Sequence, residues 1–312
     1  TVTVEPLVKI GQLTRILISK GWTIPVVPEL DFLTVGGLIC GAGVETSSHK
    51  YVKLSYIPVN SLDEATERIT KESLKTPGHD FIEGIMYSLD KGVIMVGSLT
   101  SKAEPGKVNS VARWYKKSFY KHVESFLSCS QSAPKVEYIP LRHYYHRHTY
   151  CIFWVTRFCI PYMEVAPLRW MLGWVAPCEM NWYKLIPLFL RRLFEENLLI
   201  QDHVIYPVWL CPAKTLKEPG FFKFGGDADK MHMDIGLYGM SEKQDFEPVK
   251  TNKALEQFCL RNNCWKGLSA NTFLSRDEFY QMFDPTLYHK VRTELKCENA
   301  FPEVYEKVVG RK

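Results

Sequence analysis

The sequence lacks the paired cysteines of a disulfide or zinc scaffold. Its nine cysteines are odd in number and scattered, with no C-x-x-C pair and no Cys/His spacing suited to structural zinc. Cys40, Cys129, Cys151, Cys159, Cys178, Cys211, Cys259, Cys264 and Cys297 therefore read as reduced thiols of an intracellular or cytosol-facing protein, most of them small buried hydrophobes. A dominant charge is lacking too. The 39 basic and 34 acidic side chains leave +5 over 312 residues, and the two signs are interspersed. A dedicated nucleic-acid binder concentrates its basic residues into a stripe, so nucleic acid is not an expected partner. Nor is there an uninterrupted apolar run. The most apolar stretch, from Phe158 to Cys178, carries Glu164 and Arg169 and is broken by Pro161, Pro167 and Pro177. A spanning helix needs about 20 apolar residues, which excludes a transmembrane helix here. Trp170, Met171, Leu172 and Trp174 leave a monotopic surface contact open, with core or lid packing the simpler reading. Tandem repeats and low-complexity linkers are absent.

What remains is a globular composition, 46% hydrophobic and 23% charged, with enough material for a real core. The length fits two domains, or one large domain with an appendage. Aromatics reach 13%, an excess that suits a site for something flat and apolar, although large cores collect aromatics as well.

The opening Thr1-Val2-Thr3-Val4 alternates and starts without methionine, so residues 1–10 are expected to form a strand already in progress, with the natural N-terminus upstream. Ile10 to Lys20 reads as a short amphipathic helix with Leu13, Ile16 and Leu17 on one face. Tyr51 to Val59 alternates like a strand, and Ser61-Leu62-Asp63-Glu64 resembles a capping box opening a helix to about Leu74. Phe81 to Leu89 and Val93 to Leu99 flank Asp90-Lys91-Gly92, a hairpin signal. Strand, helix, strand, strand is an α+β pattern with a helix on one face of an antiparallel sheet. Val204 to Leu210, Met231 to Tyr238 and Leu268 to Phe273 read as further strands, and Lys253 to Arg261 as a helix. A helix is expected around Phe189, Leu190 and Leu193, and a mostly helical tail from Arg276 to Val309.

Thr34 to Thr46 carries four glycines in eight residues, at Gly36, Gly37, Gly41 and Gly43. Such backbone can approach a ligand closely and offer N–H groups to phosphate or carbonyl oxygens. The Rossmann order G-x-G-x-x-G is missing, and no Gly-Lys-Ser/Thr makes it a P-loop, so a tight turn and a cofactor loop both remain open. Asp227, Asp229 and Asp234 lack EF-hand spacing and read as a solvated turn; no metal site is expected. Cys211, between Leu210 and Pro212, has no base beside it and reads as structural.

Longer motifs carry a family resemblance. Val4-Glu5-Pro6-Leu7-Val8, Trp22-Thr23, Pro28-Glu29-Leu30-Asp31, Leu33-Thr34-Val35-Gly36-Gly37-Leu38-Ile39 and Ser47-Ser48-His49-Lys50-Tyr51 occur in order. They are followed by Tyr138-Ile139-Pro140-Leu141-Arg142-His143-Tyr144-Tyr145-His146-Arg147-His148-Thr149, Ile152-Phe153-Trp154 and Tyr206-Pro207-Val208-Trp209-Leu210-Cys211-Pro212. Leu287-Tyr288-His289-Lys290 and Ala300-Phe301-Pro302-Glu303-Val304-Tyr305 complete the set. Together they resemble the FAD-linked delta-24-sterol reductases, the seladin/diminuto family, over essentially the whole chain.

The resemblance implies a vanillyl-alcohol-oxidase-like (PCMH-type) flavoprotein. Residues 1–50 would be part of an FAD-binding domain, and 51–312 an antiparallel-sheet substrate or cap domain with a helical tail. The implied reaction reduces the double bond between carbons 24 and 25 of a desmosterol-like sterol. NADPH would reduce FAD, and the flavin would pass a hydride to one alkene carbon while an acid protonates the other. This needs a dry apolar slot and one placed proton donor. The family works at the endoplasmic reticulum membrane, facing the cytosol, through an upstream anchor; a homo-oligomer is compatible with the sequence.

By the same resemblance, FAD would be wrapped by Thr34, Val35, Gly36, Gly37, Leu38, Ile39, Cys40, Gly41, Ala42, Gly43, Val44, Glu45 and Thr46, with Ser48 and His49 beyond. The proton donor would be sought at His146, Tyr145 or His148, with Tyr288 as a further candidate, and Arg142 or Arg147 would meet cofactor phosphate. If the cluster is extended, His146 and His148 share one face and His143 the other, which makes a three-histidine metal site awkward. The chain departs from its relatives where His49-Lys50-Tyr51 joins two places they keep apart, with a smaller gap near Gln201-Asp202-His203-Val204. That departure motivates an alternative: a shortened, non-catalytic form that binds sterol or protein partners without FAD.

Overall fold

The structure, a computed structural model, describes residues 2–22, 24, 27, 31–36, 50–129, 134–149, 153–154, 157, 164–172, 206–214, 231–238, 246–268 and 271–309. The chain divides into two compact units. One comprises Thr1–Leu198, Ile205–Pro212 and Asp234–Gly239, the other Leu199–Val204, Ala213–Met233 and Met240–Lys312.

In the first unit the expected amphipathic helix is α1 (Ile10–Ser19), which buries Ile10, Leu13 and Thr14. Strand β1 (Tyr51–Val59) leads into α2 (Leu62–Ser73), whose N-terminus is capped by Ser61 accepting from the Glu64 N–H. The Glu64 carboxylate accepts from the Asn60 N–H at 2.7 Å, so the capping box closes one residue earlier than its sequence spacing predicts. Ala65, Ile69 and Glu72 form the buried stripe of α2 at the spacing of successive turns. β2 (Phe81–Ser88) and β3 (Lys91–Thr100) make the hairpin. Its turn is Leu89-Asp90, because Ser88 already pairs with Lys91. Gly92 is a strand residue opposite Met86, where a Cβ would collide with the Met86 sulfur.

Two further short helices, α3 (Phe119–Glu124) and α4 (Leu141–Tyr145), flank β4 (Lys135–Pro140), and α5 (Ala166–Leu172) follows. β5 (Val208–Lys214) and β6 (Met231–Leu237) complete a six-stranded sheet of order β4-β1-β3-β2-β5-β6. β1 pairs antiparallel with β3 and β4, and β2 pairs antiparallel with β3 and β5. One face packs Ile94 and Leu210 with Ile69 of α2 around Gly84. The main core lies on the other face, where Val52, Leu54, Tyr56, Phe81, Ile85 and Met95 meet Phe119, Tyr120, Tyr144, Tyr145, Trp154 and Trp209. The α+β architecture with an antiparallel sheet is as read from the sequence.

The second unit contains α6 (Pro248–Arg261), α7 (Arg276–Met282), α8 (Thr286–Glu294) and α9 (Val304–Val308), so the tail is helical as expected. Pro248 opens α6 five residues before the Lys253 start read from the sequence, in the first turn where proline costs no hydrogen bond. Ser275 and Glu278 form a full capping box on α7. Leu274, Phe279, Met282 and Phe283 are its buried core.

Several expectations are corrected. Residues 2–8 form no strand; apart from one bridge between Lys9 and Thr34, they run as irregular chain whose carbonyls receive the N–H groups of Val35 and Gly36. The 142–148 cluster is not extended, since Pro140 starts α4 and turns follow to Thr149. Within Leu268 to Phe273 the described residues contribute one bridge, Thr272 to Val309, and no strand. β5 starts after Pro207, which cannot donate to a ladder, and runs on to Lys214. Trp170 and Met171 are exposed, so core packing does not hold for them, while Arg169 between them and the body is buried. Among the described residues no helix is long and apolar enough to cross a membrane. Trp174, the Phe189–Leu193 helix and Asp227 and Asp229 lie outside the described residues.

Candidate functional site

Alternation along β2 puts Phe81, Glu83 and Ile85 on the same, core-facing side of the sheet. A carboxylate there is tolerable only if it is paired and hydrogen-bonded. Arg147 supplies the charge. Its Nε donates to Glu83 Oε1 and its Nη2 to Oε2, each at 2.8 Å, a bidentate fork between side chains 2% exposed. The Trp209 indole N–H donates to Oε2 at 2.9 Å, the Tyr144 hydroxyl lies 3.4 Å from Oε1, and His148 Nε2 lies 3.5 Å from Oε2. Burial alone would raise the Glu83 pKa. The Arg147 charge and the bonds from His148 and Arg147 outweigh it and hold the carboxyl far below the usual carboxylate range.

Each nitrogen of the buried Arg147 already donates within the protein, Nη1 to the Tyr144 carbonyl at 2.8 Å, which disfavours a cofactor phosphate there. Its guanidinium also lies 4.2 Å from the Tyr144 ring centroid. The His148 ring stacks on Phe153 at 4.3 Å and meets the edge of Phe119 at 5.3 Å. Phe153 in turn stacks on Tyr238, whose carbonyl accepts from the Trp154 indole at 2.6 Å. Tyr145 is fully buried against Phe81.

His146 faces the N-terminal segment. Its Nε2 lies 3.1 Å from Thr14 Oγ1, which is itself 3.3 Å from the Gly11 carbonyl. With Thr14 donating to that carbonyl, His146 Nε2–H is the donor to Thr14. Thr149 Oγ1 accepts from the Asp31 N–H at 3.2 Å. The turn after α4 is thus fastened to the run that leads into Thr34, Val35 and Gly36. Thr34 bridges Lys9, while Val35 N–H donates to Val8 O at 2.9 Å and Gly36 N–H to Pro6 O at 2.8 Å. A Cβ on Gly36 would come within 2.8 Å of Pro6 Cβ, so a neighbouring proline already requires glycine there. These two N–H groups are committed within the protein and do not fit as phosphate donors. Gly37, Leu38, Ile39, Cys40, Gly41, Ala42, Gly43, Val44, Glu45, Thr46, Ser48 and His49 lie outside the described residues.

Tyr288 belongs to the second unit, where its hydroxyl accepts from the Val304 N–H at 3.0 Å and from Arg292 Nη1 at 3.3 Å. Cys211 is a half-buried strand residue of β5. Among the described residues no three His, Cys, Asp or Glu side chains gather as metal ligands. Sequence reasoning missed Glu83 and Trp209. The alternation Phe81, Glu83, Ile85 was the available signal for the first.

No family model matches the chain. Among curated proteins it is similar to the Delta(24)-sterol reductases of Mus musculus and Homo sapiens, each 37% identical over 383 residues, covering 98% of this chain and 74% of the relative. It is 32% identical over 396 residues to the Delta(24)-sterol reductase homolog of Caenorhabditis elegans, covering 99% and 75%. A match of 383 residues against 312 means the mammalian relatives carry at least 71 residues within the matched span that this chain does not. With that identity over almost its full length, the chain belongs to the delta(24)-sterol reductase family of oxidoreductases.

Proposed function

We propose that this chain reduces the double bond at carbon 24 of a desmosterol-like sterol, with FAD as the bound cofactor and NADPH as electron source, at the endoplasmic reticulum membrane. The supporting observation is the 37% identity to Delta(24)-sterol reductases over 98% of the chain. In this reading residues 1–50 are the remainder of a vanillyl-alcohol-oxidase-like FAD domain, and 51–312 form the substrate domain. Because Val35 and Gly36 spend their N–H groups on Val8 and Pro6, loop contacts to FAD fall to the segment from Gly37 to His49.

Bound flavin would supply the hydride. The chain's own residues supply an apolar enclosure and a proton. His146 is the proposed donor, since its Nε2 contact with Thr14 fixes the ring beside the run entering the Gly-rich segment. Tyr145 and His148 are the alternatives in the same turn, and Tyr288 is the one in the second unit.

The test is to purify the chain, add FAD, and follow flavin absorbance together with NADPH-dependent conversion of desmosterol. Saturable flavin uptake with formation of the saturated side chain is expected. Absence of flavin uptake sinks the reading for this chain. The deficit of at least 71 residues against the relatives favours a second reading, a non-catalytic form that binds sterol without FAD. Sterol binding that persists without flavin uptake selects it.

A further inference from the structure

A cleft of about 640 Å³ opens on the first unit, lined by none of the residues assigned to reduction, between the loop after β3, the segment leading into α3, β4 and Arg169 of α5. Its floor is the edge of β4 and one side of α3. There His122 Nε2 lies 2.8 Å from Glu137 Oε2, Asn109 Nδ2 donates to the same carboxylate at 3.2 Å, and the Tyr56 hydroxyl donates to it at 3.0 Å. Burial would raise the Glu137 pKa, but the bond and charge of His122, with Asn109 and Tyr56, bring it below the ordinary value. Among the described residues Glu137 is the one carboxylate lining the cleft, and its oxygens already have these partners.

The walls are cationic. Lys107, Lys116, Lys117, Lys135 and Arg169 all line the opening. Lys107 is paired with Glu104 at 2.6 Å. Arg169 is buried, and its guanidinium donates to the carbonyls of Tyr115 and Glu164. The Glu164 carboxylate accepts from Ser118 at 3.0 Å. Among the described residues no carboxylate pairs with Lys116, Lys117 or Lys135. Three exposed lysines therefore line one concavity with no carboxylate partner among the described residues. The volume is that of a small-molecule cleft. Compact, strongly hydrated ammonium charges in such a space favour an oxyanion of more than one charge over a single carboxylate.

We propose that this cleft binds a ligand carrying two or more phosphate charges, held by Lys116, Lys117 and Lys135 above the His122–Glu137 floor. The chemistry is common to a free phosphorylated small molecule and to a phosphorylated lipid headgroup. The site goes beyond the reduction reading and stands whether or not that reading does.

The experiment uses the full chain with two probes. Inorganic pyrophosphate is titrated by calorimetry at low and moderate salt. Phosphatidylcholine vesicles with and without phosphatidylinositol 4-phosphate are tested by co-sedimentation. Saturable binding to either probe is expected, weakened at least about tenfold in the double variant Lys116→Glu/Lys117→Glu. It should be unchanged in Lys250→Glu/Lys253→Glu, which alters the same charge in the other unit. Pyrophosphate binding identifies the free-ligand source, and binding confined to the phosphoinositide vesicles identifies the headgroup source. Binding to neither probe, or equal weakening by both double variants, overturns the proposal.

Discussion

Arg147 closes on both oxygens of Glu83 at 2.8 Å, in a part of the core where each side chain is 2% exposed. The pair joins the middle of the sheet to the turn after α4. It also accounts for the burial of Arg147 in the core.

Glu83→Gln and Arg147→Met are each expected to destabilise the fold by about 3–5 kcal/mol, because each strands the other partner in the core. Replacing both at once, as Glu83→Gln with Arg147→Met, should cost less than the sum of the two single changes. Urea unfolding of the four proteins measures the coupling.

The same carboxylate gives a pH signature. Its folded pKa is depressed, so its stabilisation is fully present above the unfolded value near ~4.3 and is lost as pH falls toward the much lower folded value. Thermal unfolding followed from about pH 5 downward should show a shallower acid loss for Glu83→Gln than for the parent chain. Equal slopes would assign the acid sensitivity to other carboxylates.

Gly36→Ala should lower stability by about 1–3 kcal/mol with or without FAD, since the added methyl meets Pro6. Gly37→Val is expected to lower FAD affinity. Unfolding curves for the first and flavin titration for the second keep the two roles of this glycine pair apart.

His146→Ala should slow alkene reduction more than flavin reduction by NADPH in stopped-flow measurements. If both half-reactions keep their rates, the proton comes from another group.

In the second unit, Glu256 is 1% exposed and accepts from Lys266 Nζ at 2.9 Å, Thr272 Oγ1 at 2.9 Å and the Phe273 N–H at 3.0 Å. Glu256→Ala is expected to cost about 3 kcal/mol or more, by leaving Lys266 and two other donors unmatched. Chemical denaturation of the full chain, followed by Trp265 fluorescence, reports it.

Local pattern carried the elements that depend on local pattern. The alternation of β1, the Ser61 cap of α2 and the β2–β3 hairpin were readable because period and turn chemistry agree there. The backbone of the 142–148 cluster is ambiguous in sequence because Tyr144, Tyr145, His146 and His148 satisfy an alternating pattern as easily as a helical one; Pro140, at the start of the helix, is the discriminating residue. Val2 to Val8 looked like a strand by alternation, yet its carbonyls are used by residues 35 and 36, a pairing no local period encodes. The role of Arg147 was invisible for the same reason, since its partner lies 64 residues away. The lysines of the cleft were lost in an overall balance of +5, which averages over position.

The donors to Glu83 arrive late in the order of synthesis. Tyr144, Arg147 and Trp209 follow it by 61, 64 and 126 residues. At ribosomal speeds the last of them emerges roughly 6–25 s after the carboxylate. During that interval the β2–β3 hairpin presents an apolar face with an uncompensated charge at its centre. That charge keeps the face wet and discourages premature edge-to-edge pairing until its partners appear.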